Sequence, residues 1–387
     1  MPEQPPVPVD PERDPAVGSG PADLPPFDQW PESEYAPERA SARSIMLSVG
    51  MLATAVLLAV LIVLPTPYAV NSPGPTRNVL GESDGTPLIQ ITGAETYDST
   101  GELRLTTVSG TGGPGFPSTV RDVLEGWRSP SSVVVPVELL YPPDASQADI
   151  DKSNTAEMVS SQENATVAAL TELGYEVPAT LVVAGTVEGT DAAVKVEDGD
   201  VVVAIDGIAL PDYATLINHL ENDVDPGATI TLTVKRNGET VDVPVVTGTK
   251  PDGNAQIGIY IDPTFDFPVD VKISIDDIGG PSAGTMFALG IIDKMTPEDE
   301  AGGKDIAGTG TIDVNGEVGA IGGIRQKLAG AHRDGATWFL APASNCDEVV
   351  GHVPDGLHVV KIATLHEARE AITAIGAGTA DKLPTCS

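Results

Sequence analysis

The longest uniform pattern along the chain is apolar. Positions 45–64 carry no charge, are rich in Leu, Val and Ala, and are followed by Pro65 and Pro67. At about 1.5 Å per residue this run spans about 30 Å, one hydrocarbon core, and it predicts a transmembrane helix over 45–65. Positions 1–44 read differently, with eleven prolines between Pro2 and Pro37, many acidic residues and no apolar period. Such a segment cannot bury enough surface to offset its ordering entropy, so a disordered tail is expected. A tail of 44 residues is too long for the start of a cleaved signal, so the run reads as an uncleaved anchor.

Beyond the run the period shortens. Strands are expected over 88–92, 103–108 and 133–140, in a β-containing region, 66–174, that wraps onto later domains. Helical spacing over 154–173 puts Met158, Ala165, Val167, Ala168, Leu170 and Leu173 on one face. Over 175–250 a strand at 181–187 is followed by a second one closed by Asp206-Gly207. A helix over 212–222 then carries Tyr213, Leu216, Ile217 and Leu220 on one face, and a hairpin turns at Asn237-Gly238. Over 255–378 an alternating strand, 269–275, runs into Gly279-Gly280-Pro281-Ser282-Ala283-Gly284. Met286, Leu289, Ile292 and Met295 follow at helical spacing. A strand pair turns at Asn315-Gly316, a helix opens after Gly323, and a strand–helix pair closes the region before a tail, 379–387. The fold class expected is α+β and multidomain.

The glycine turn carries the candidate chemistry. Ser282 stands where a helix begins, with free N–H groups and a dipole that favour developing negative charge, so it is the candidate nucleophile. N–H groups of the turn, Gly280 and Ala283 among them, are expected to hold an oxyanion. The candidate base is Lys327, 45 residues on, beside Ile321, Ile324 and Leu328. A lysine serves as a base when burial depresses its pKa, and Ser-Lys pairs are a variant of the Ser-His-Asp logic. His332, five residues later, faces another side of the helix.

Composition narrows the rest. A net charge of −35 argues against nucleic acid as a partner. Five scattered histidines without H-E-x-x-H or C-x-x-C predict no metal site, and no cofactor is expected. Cys346 and Cys386 are the only cysteines, and bridged or unpaired states both fit. Arg39 and Arg43 precede the apolar run and Arg77 is the nearest basic residue after it. That bias puts the N-terminal tail in the cytoplasm and the later domains outside the plasma membrane, on a single-pass chain.

The turn GPSAG, the Thr309-Gly310-Thr311-Ile312 strand and the Ile321-Gly322-Gly323-Ile324-Arg325-Gln326-Lys327 helix start resemble the proteolytic domain of Lon-type serine proteases. The resemblance implies Ser282 as nucleophile, Lys327 as base and Thr309 as the hydroxyl that orients them. Gly279 stands where ATP-dependent members carry an acidic residue. Residues 175–247 resemble a PDZ domain of the bacterial protease type, which implies peptide binding by strand addition in a groove between 181–187 and the 212–222 helix. Leu181, Val183, Leu216 and Leu220 are its expected lining. With the anchor, the chain resembles bacterial membrane-bound PDZ–Lon proteins. No G-x-x-x-x-G-K-[ST] occurs among the 387 residues. The implied function is an ATP-independent endopeptidase for unfolded or extended polypeptides, with a hexameric ring as the assembly the family implies. The alternative is a membrane-anchored PDZ scaffold with an inactive protease domain.

Overall fold

A computed structural model describes residues 41–386 apart from 84, 143, 144, 251, 252, 276 and 277. Most of the tail expected over 1–44 therefore lies outside the described residues. The chain divides into two units, Met1–Val60 and Leu61–Ser387. Helix α1 (Ala42–Val63) starts in the first and has no buried residue. It is long and apolar enough to cross a membrane.

The second unit is built on a sheet drawn from two distant parts of the sequence. The first part supplies β1 (Tyr68–Asn78), β2 (Ile89–Thr92), β3 (Glu102–Thr111), α2 (Val120–Arg128), β4 (Val133–Pro136) and α3 (Gln147–Glu172). A β-domain follows, made of β5 (Ala179–Thr186), β6 (Val201–Ile205), α4 (Tyr213–Asn222), β7 (Thr229–Arg236), β8 (Glu239–Val246) and β9 (Ile259–Phe265). The second part supplies β10 (Asp270–Ile273), α5 (Gly284–Met295), β11 (Asp305–Gly308), the short pair β12 (Thr311–Ile312) and β13 (Val318–Gly319), and α6 (Ile324–Arg333). It ends with β14 (Trp338–Pro342), α7 (Cys346–Val349), β15 (His358–Ile362) and α8 (Leu365–Gly376).

The main sheet runs β15-β14-β11-β3-β1-β4. Its seam is the parallel pair β3–β11, with Glu102 opposite Asp305 and Leu105 opposite Gly308. Residues 66–174 thus do more than wrap onto the later domain, since they supply half of its sheet. On one face Leu103 and Leu105 meet Met286, Phe287, Leu289, Leu340 and Ile372. On the other, Phe339 and Ala341 meet Ile324, Leu328 and Ala331. Every residue of α5 from Gly284 to Asp293 is buried, so the helix that follows the glycine turn is fixed on all sides.

Two element boundaries differ from expectation. The strand expected over 133–140 ends at Pro136 and passes into a single 3₁₀ turn, Val137–Leu139. Its partner β1 begins at Tyr68, opposite Pro136, so residues beyond have no ladder to join. Helix α3 begins at Gln147, seven residues before position 154. Ser146 and Asp149 form a reciprocal capping box that starts it, and its first turns are polar and exposed, with no apolar period to reveal them.

The β-domain has its own sheet, β8-β7-β6-β5-β9, and its own core, which includes Leu181, Val183, Leu216, Leu220, Ile230 and Val245. It is an insertion between the two halves of the larger sheet. The chain leaves it through β9 and returns through β10, which pairs with β2. Val167, Leu170, Val177, Val269 and Val314 form the apolar joint beside this insertion. Cys346 and Cys386 are joined by a disulfide.

Candidate active site

The turn before α5 is held from three directions. Gly280 has φ +86°, a left-handed conformation that favours glycine, and its N–H donates to the Asn154 carbonyl of α3 at 3.1 Å. Ser161 Oγ, also on α3, donates to the Pro281 carbonyl at 2.9 Å. The Ser282 carbonyl accepts from the Gly310 N–H at 3.0 Å and from Thr309 Oγ1 at 3.0 Å. Helix α5 starts at Gly284, so Pro281 and Ser282 lie in the turn just ahead of it rather than in its first turn.

Lys327 arrives from α6. Gly323, at φ +71°, starts this helix, and a Cβ there would lie 2.7 Å from Val108 Cγ2. One turn in, Lys327 is 2% exposed. Its Nζ lies 2.7 Å from Ser282 Oγ and 2.8 Å from Thr309 Oγ1. Burial pushes its pKa down from 10.5 to about 7. The hydrogen-bond directions then follow. Thr309 Oγ1 gives its proton to the Ser282 carbonyl, so it can only accept from the lysine. A neutral amine bound this way donates one N–H to Thr309 and keeps its lone pair for the Ser282 hydroxyl proton.

Of the N–H groups expected to hold an oxyanion, Gly280 is the one the structure places in a bond of its own. Gly280 spends its N–H on Asn154, whereas the N–H groups of Ser282 and Ala283 have no acceptor among the described residues. Ser282 and Lys327 open onto a cavity of about 710 Å³, walled by Val108, Met158, Ile278 and Ile321. Asn345 is 3% exposed and fixes that wall: its Oδ1 accepts from the Ile321 N–H and its Nδ2 donates to the Ile321 carbonyl, both at 2.9 Å. Asn154, Ser161 and Asn345 had no local signal, because their contacts cross 126, 120 and 24 residues (280 − 154, 281 − 161, 345 − 321). His332 is exposed.

Gly279 also has a physical reason. A Cβ there would lie 2.7 Å from Asn154 Cβ, so α3 occupies the space that an acidic side chain would need. The nearby Asp276 and Asp277 lie outside the described residues.

The four expected groove residues are placed differently from expectation. Leu181, Val183, Leu216 and Leu220 all point into the β-domain core. Strand β5 is paired on both edges, with β6 through Leu181–Val202 and with β9 along its whole length. The strand with an open edge beside it is β9.

Residues 269–374 match the family model described as the Lon protease (S16) C-terminal proteolytic domain, and residues 159–247 match that of a PDZ domain. The Lon protease of Clostridioides difficile (strain 630) is 36% identical over 117 residues, which are 28% of this chain and 15% of that protein. Lon protease 1 of Bacillus subtilis (strain 168) is 32% identical over 117 residues, with the same shares. The match thus spans about 15% of the length of these curated relatives. Among solved structures, the PDZ domain of the SdrC-like protein of Listeria monocytogenes covers 21% of this chain and 85% of its own, at 21% identity and a TM-score of 0.20. The chain carries a Lon-type proteolytic domain, of a serine peptidase family, together with a PDZ domain.

Proposed function

We propose that this chain is an ATP-independent, membrane-anchored serine endopeptidase that cleaves unfolded or extended polypeptides, with Ser282 as nucleophile and Lys327 as base. The observation that carries the reading is a buried lysine, held near pKa 7, whose Nζ lies 2.7 Å from Ser282 Oγ inside a cavity. Neutral Lys327 takes the hydroxyl proton as Ser282 Oγ attacks a peptide carbonyl. The oxyanion settles on the N–H groups of Ser282 and Ala283, where each donor is worth about 10²–10³ in kcat. The lysine ammonium then protonates the leaving amine, and water releases the acyl group by the reverse route. Its pKa near neutrality suits both halves of that cycle. Both members of the pair are present and in contact, which speaks against an inactive scaffold. The test is full-length chain in detergent, incubated with casein without ATP. Degradation by wild type and not by Ser282→Ala supports the reading, and equal degradation by both would sink it.

The PDZ domain is assigned the role of holding the substrate, on the open edge of β9 rather than on β5. The strand alternates, with Tyr260, Asp262 and Thr264 exposed between half-buried neighbours. Pro263 has no N–H to give, which fits an edge position and shortens the ladder a peptide can form. From Phe265 the chain runs 17 residues (282 − 265) to Ser282, so a peptide on β9 sits on the segment that leads to the nucleophile. A photo-crosslinker at Tyr260, 60% exposed, is expected to capture casein in the Ser282→Ala chain. Capture no better than from the opposite edge strand, β8, would remove β9 from the binding site. The anchor reading puts α1 across the plasma membrane with both domains outside it, and accessibility of Tyr260 to a membrane-impermeant label in intact cells tests that topology.

A further inference from the structure

The surface around residues 64–68 exposes a group of large apolar side chains. Helix α2 turns Val123 and Gly126 inward, and a Cβ on Gly126 would lie 2.8 Å from both Val70 and Val134. That register points Leu124 and Trp127 outward, 49% and 67% exposed. Phe116 ahead of it is 67% exposed, and Leu139 and Leu140 after β4 are 72% and 43% exposed. All five belong to segments stitched to the last residue of the apolar run and to those that follow it. The Val120 N–H donates to the Leu64 carbonyl at 3.2 Å, the Thr66 N–H to the Ser118 carbonyl at 2.8 Å, and the Val137 N–H to the Pro67 carbonyl at 3.1 Å. Trp127 meets Tyr68 edge to face, with ring centroids 6.5 Å apart.

An exposed patch of this kind marks a contact surface. Its occupant follows from three observations. The patch surrounds the residue at which the apolar run ends. Its centre is a Trp–Tyr pair, the side chains that favour the boundary between headgroups and acyl chains. It carries little charge in a chain of net −35: Arg121 pairs with Glu125, Asp122 accepts from the Thr119 N–H, Arg128 offsets that carboxylate, and Glu138 beside Leu139 leaves a single negative charge. We propose that Phe116, Leu124, Trp127, Leu139 and Leu140 rest in the interfacial layer of the phospholipid bilayer that receives the 45–64 run. This rests on the anchored reading above. The rim dips about 5–10 Å into the boundary, as interfacial helices do, and Arg128 reaches back to the headgroups. The contact is apolar and its segments carry no excess of positive charge, so it does not depend on anionic lipid or on salt.

The test uses the full chain in phosphatidylcholine vesicles, comparing wild type with Trp127→Phe. The difference in emission isolates Trp127 from the other two tryptophans, Trp30 and Trp338. Lipids brominated near the glycerol end of the acyl chain are expected to quench that difference more than lipids brominated near the methyl end, equally at low and high salt. Release of the chain by carbonate would overturn the anchored reading and this proposal with it. A chain that resists carbonate while Trp127 escapes quenching by both lipids would overturn this proposal alone. A blue-shifted but unquenched Trp127 would assign the patch to a second copy of the chain.

Discussion

Ser282→Ala and Lys327→Ala each lower kcat for peptide cleavage by about 10³–10⁴, and the double variant loses no more than the worse single one. The two side chains act as one unit, so removing either removes the attack. Without the lysine, the serine hydroxyl keeps no basic side chain in hydrogen-bond contact among the described residues, since Lys327 is the amine that meets it. Without the serine, the amine has nothing to activate. In the wild type, log kcat/KM climbs by about one per pH unit below the lysine's value of about 7 and levels off above it. Single-turnover rates across this range, on a short peptide that does not need the PDZ domain, are the measurement. A pH profile that is flat from 5 to 9, or a Lys327→Ala enzyme of wild-type rate, would remove the lysine from the base role.

The same lysine makes the fold less stable than it needs to be, so Lys327→Met is expected to melt above the wild type while being inactive. The folded state holds the group near 7 and the unfolded chain near 10.5. Between those values the unfolded chain carries one more proton, so wild-type stability rises with pH across that window by about 1.4 kcal/mol per unit. Below 7 the whole penalty stands, roughly 5 kcal/mol as an upper limit. Ser282 and Thr309 each lose a hydrogen bond in the variant, which returns about 1 kcal/mol apiece. The net expectation at neutral pH is a gain of a few kcal/mol, and the gap between variant and wild type should close as pH approaches 10. Thermal melts at pH 6.5 and 9.5 check both sign and slope. A variant less stable than wild type at pH 6.5 would mean that Lys327 sits in the fold as a partnered cation.

The contact between Ser282 and Lys327 was legible because each half is local. A proline and glycines around Ser282 and a glycine pair ahead of Lys327 fix the backbone within a few residues, and the motif survives in the sequence. What steadies the dyad was not legible. Asn154 and Ser161 lie on polar and mixed turns of α3, and nothing in their neighbourhood says that they meet Gly280 and Pro281. The pairing of β5 on both edges was hidden for a related reason. Alternation reveals that 179–186 is a strand but not which strands flank it, and β9 carries a proline and no fully buried position, so its apolar signal is faint. The joining of β3 to β11 is a matter of strand order alone, which no period encodes.

That joining has a consequence for how the molecule comes into being. Glu102 and Asp305 face each other across 203 residues (305 − 102), so half of the larger sheet is synthesised long before its partner. Contacts this distant are slow to form, and an open strand edge meanwhile invites wrong pairing. The inserted PDZ domain changes the search. Its hairpin and short connections can close first. Once folded, it replaces 179–265 by a rigid clip with α3 at its entrance and β10 at its exit, so less free chain remains to be closed. Amide protection measured by pulse-labelled exchange during refolding is expected to appear in β6–β8 before β3. Simultaneous protection would show that the insertion gives the surrounding sheet no head start.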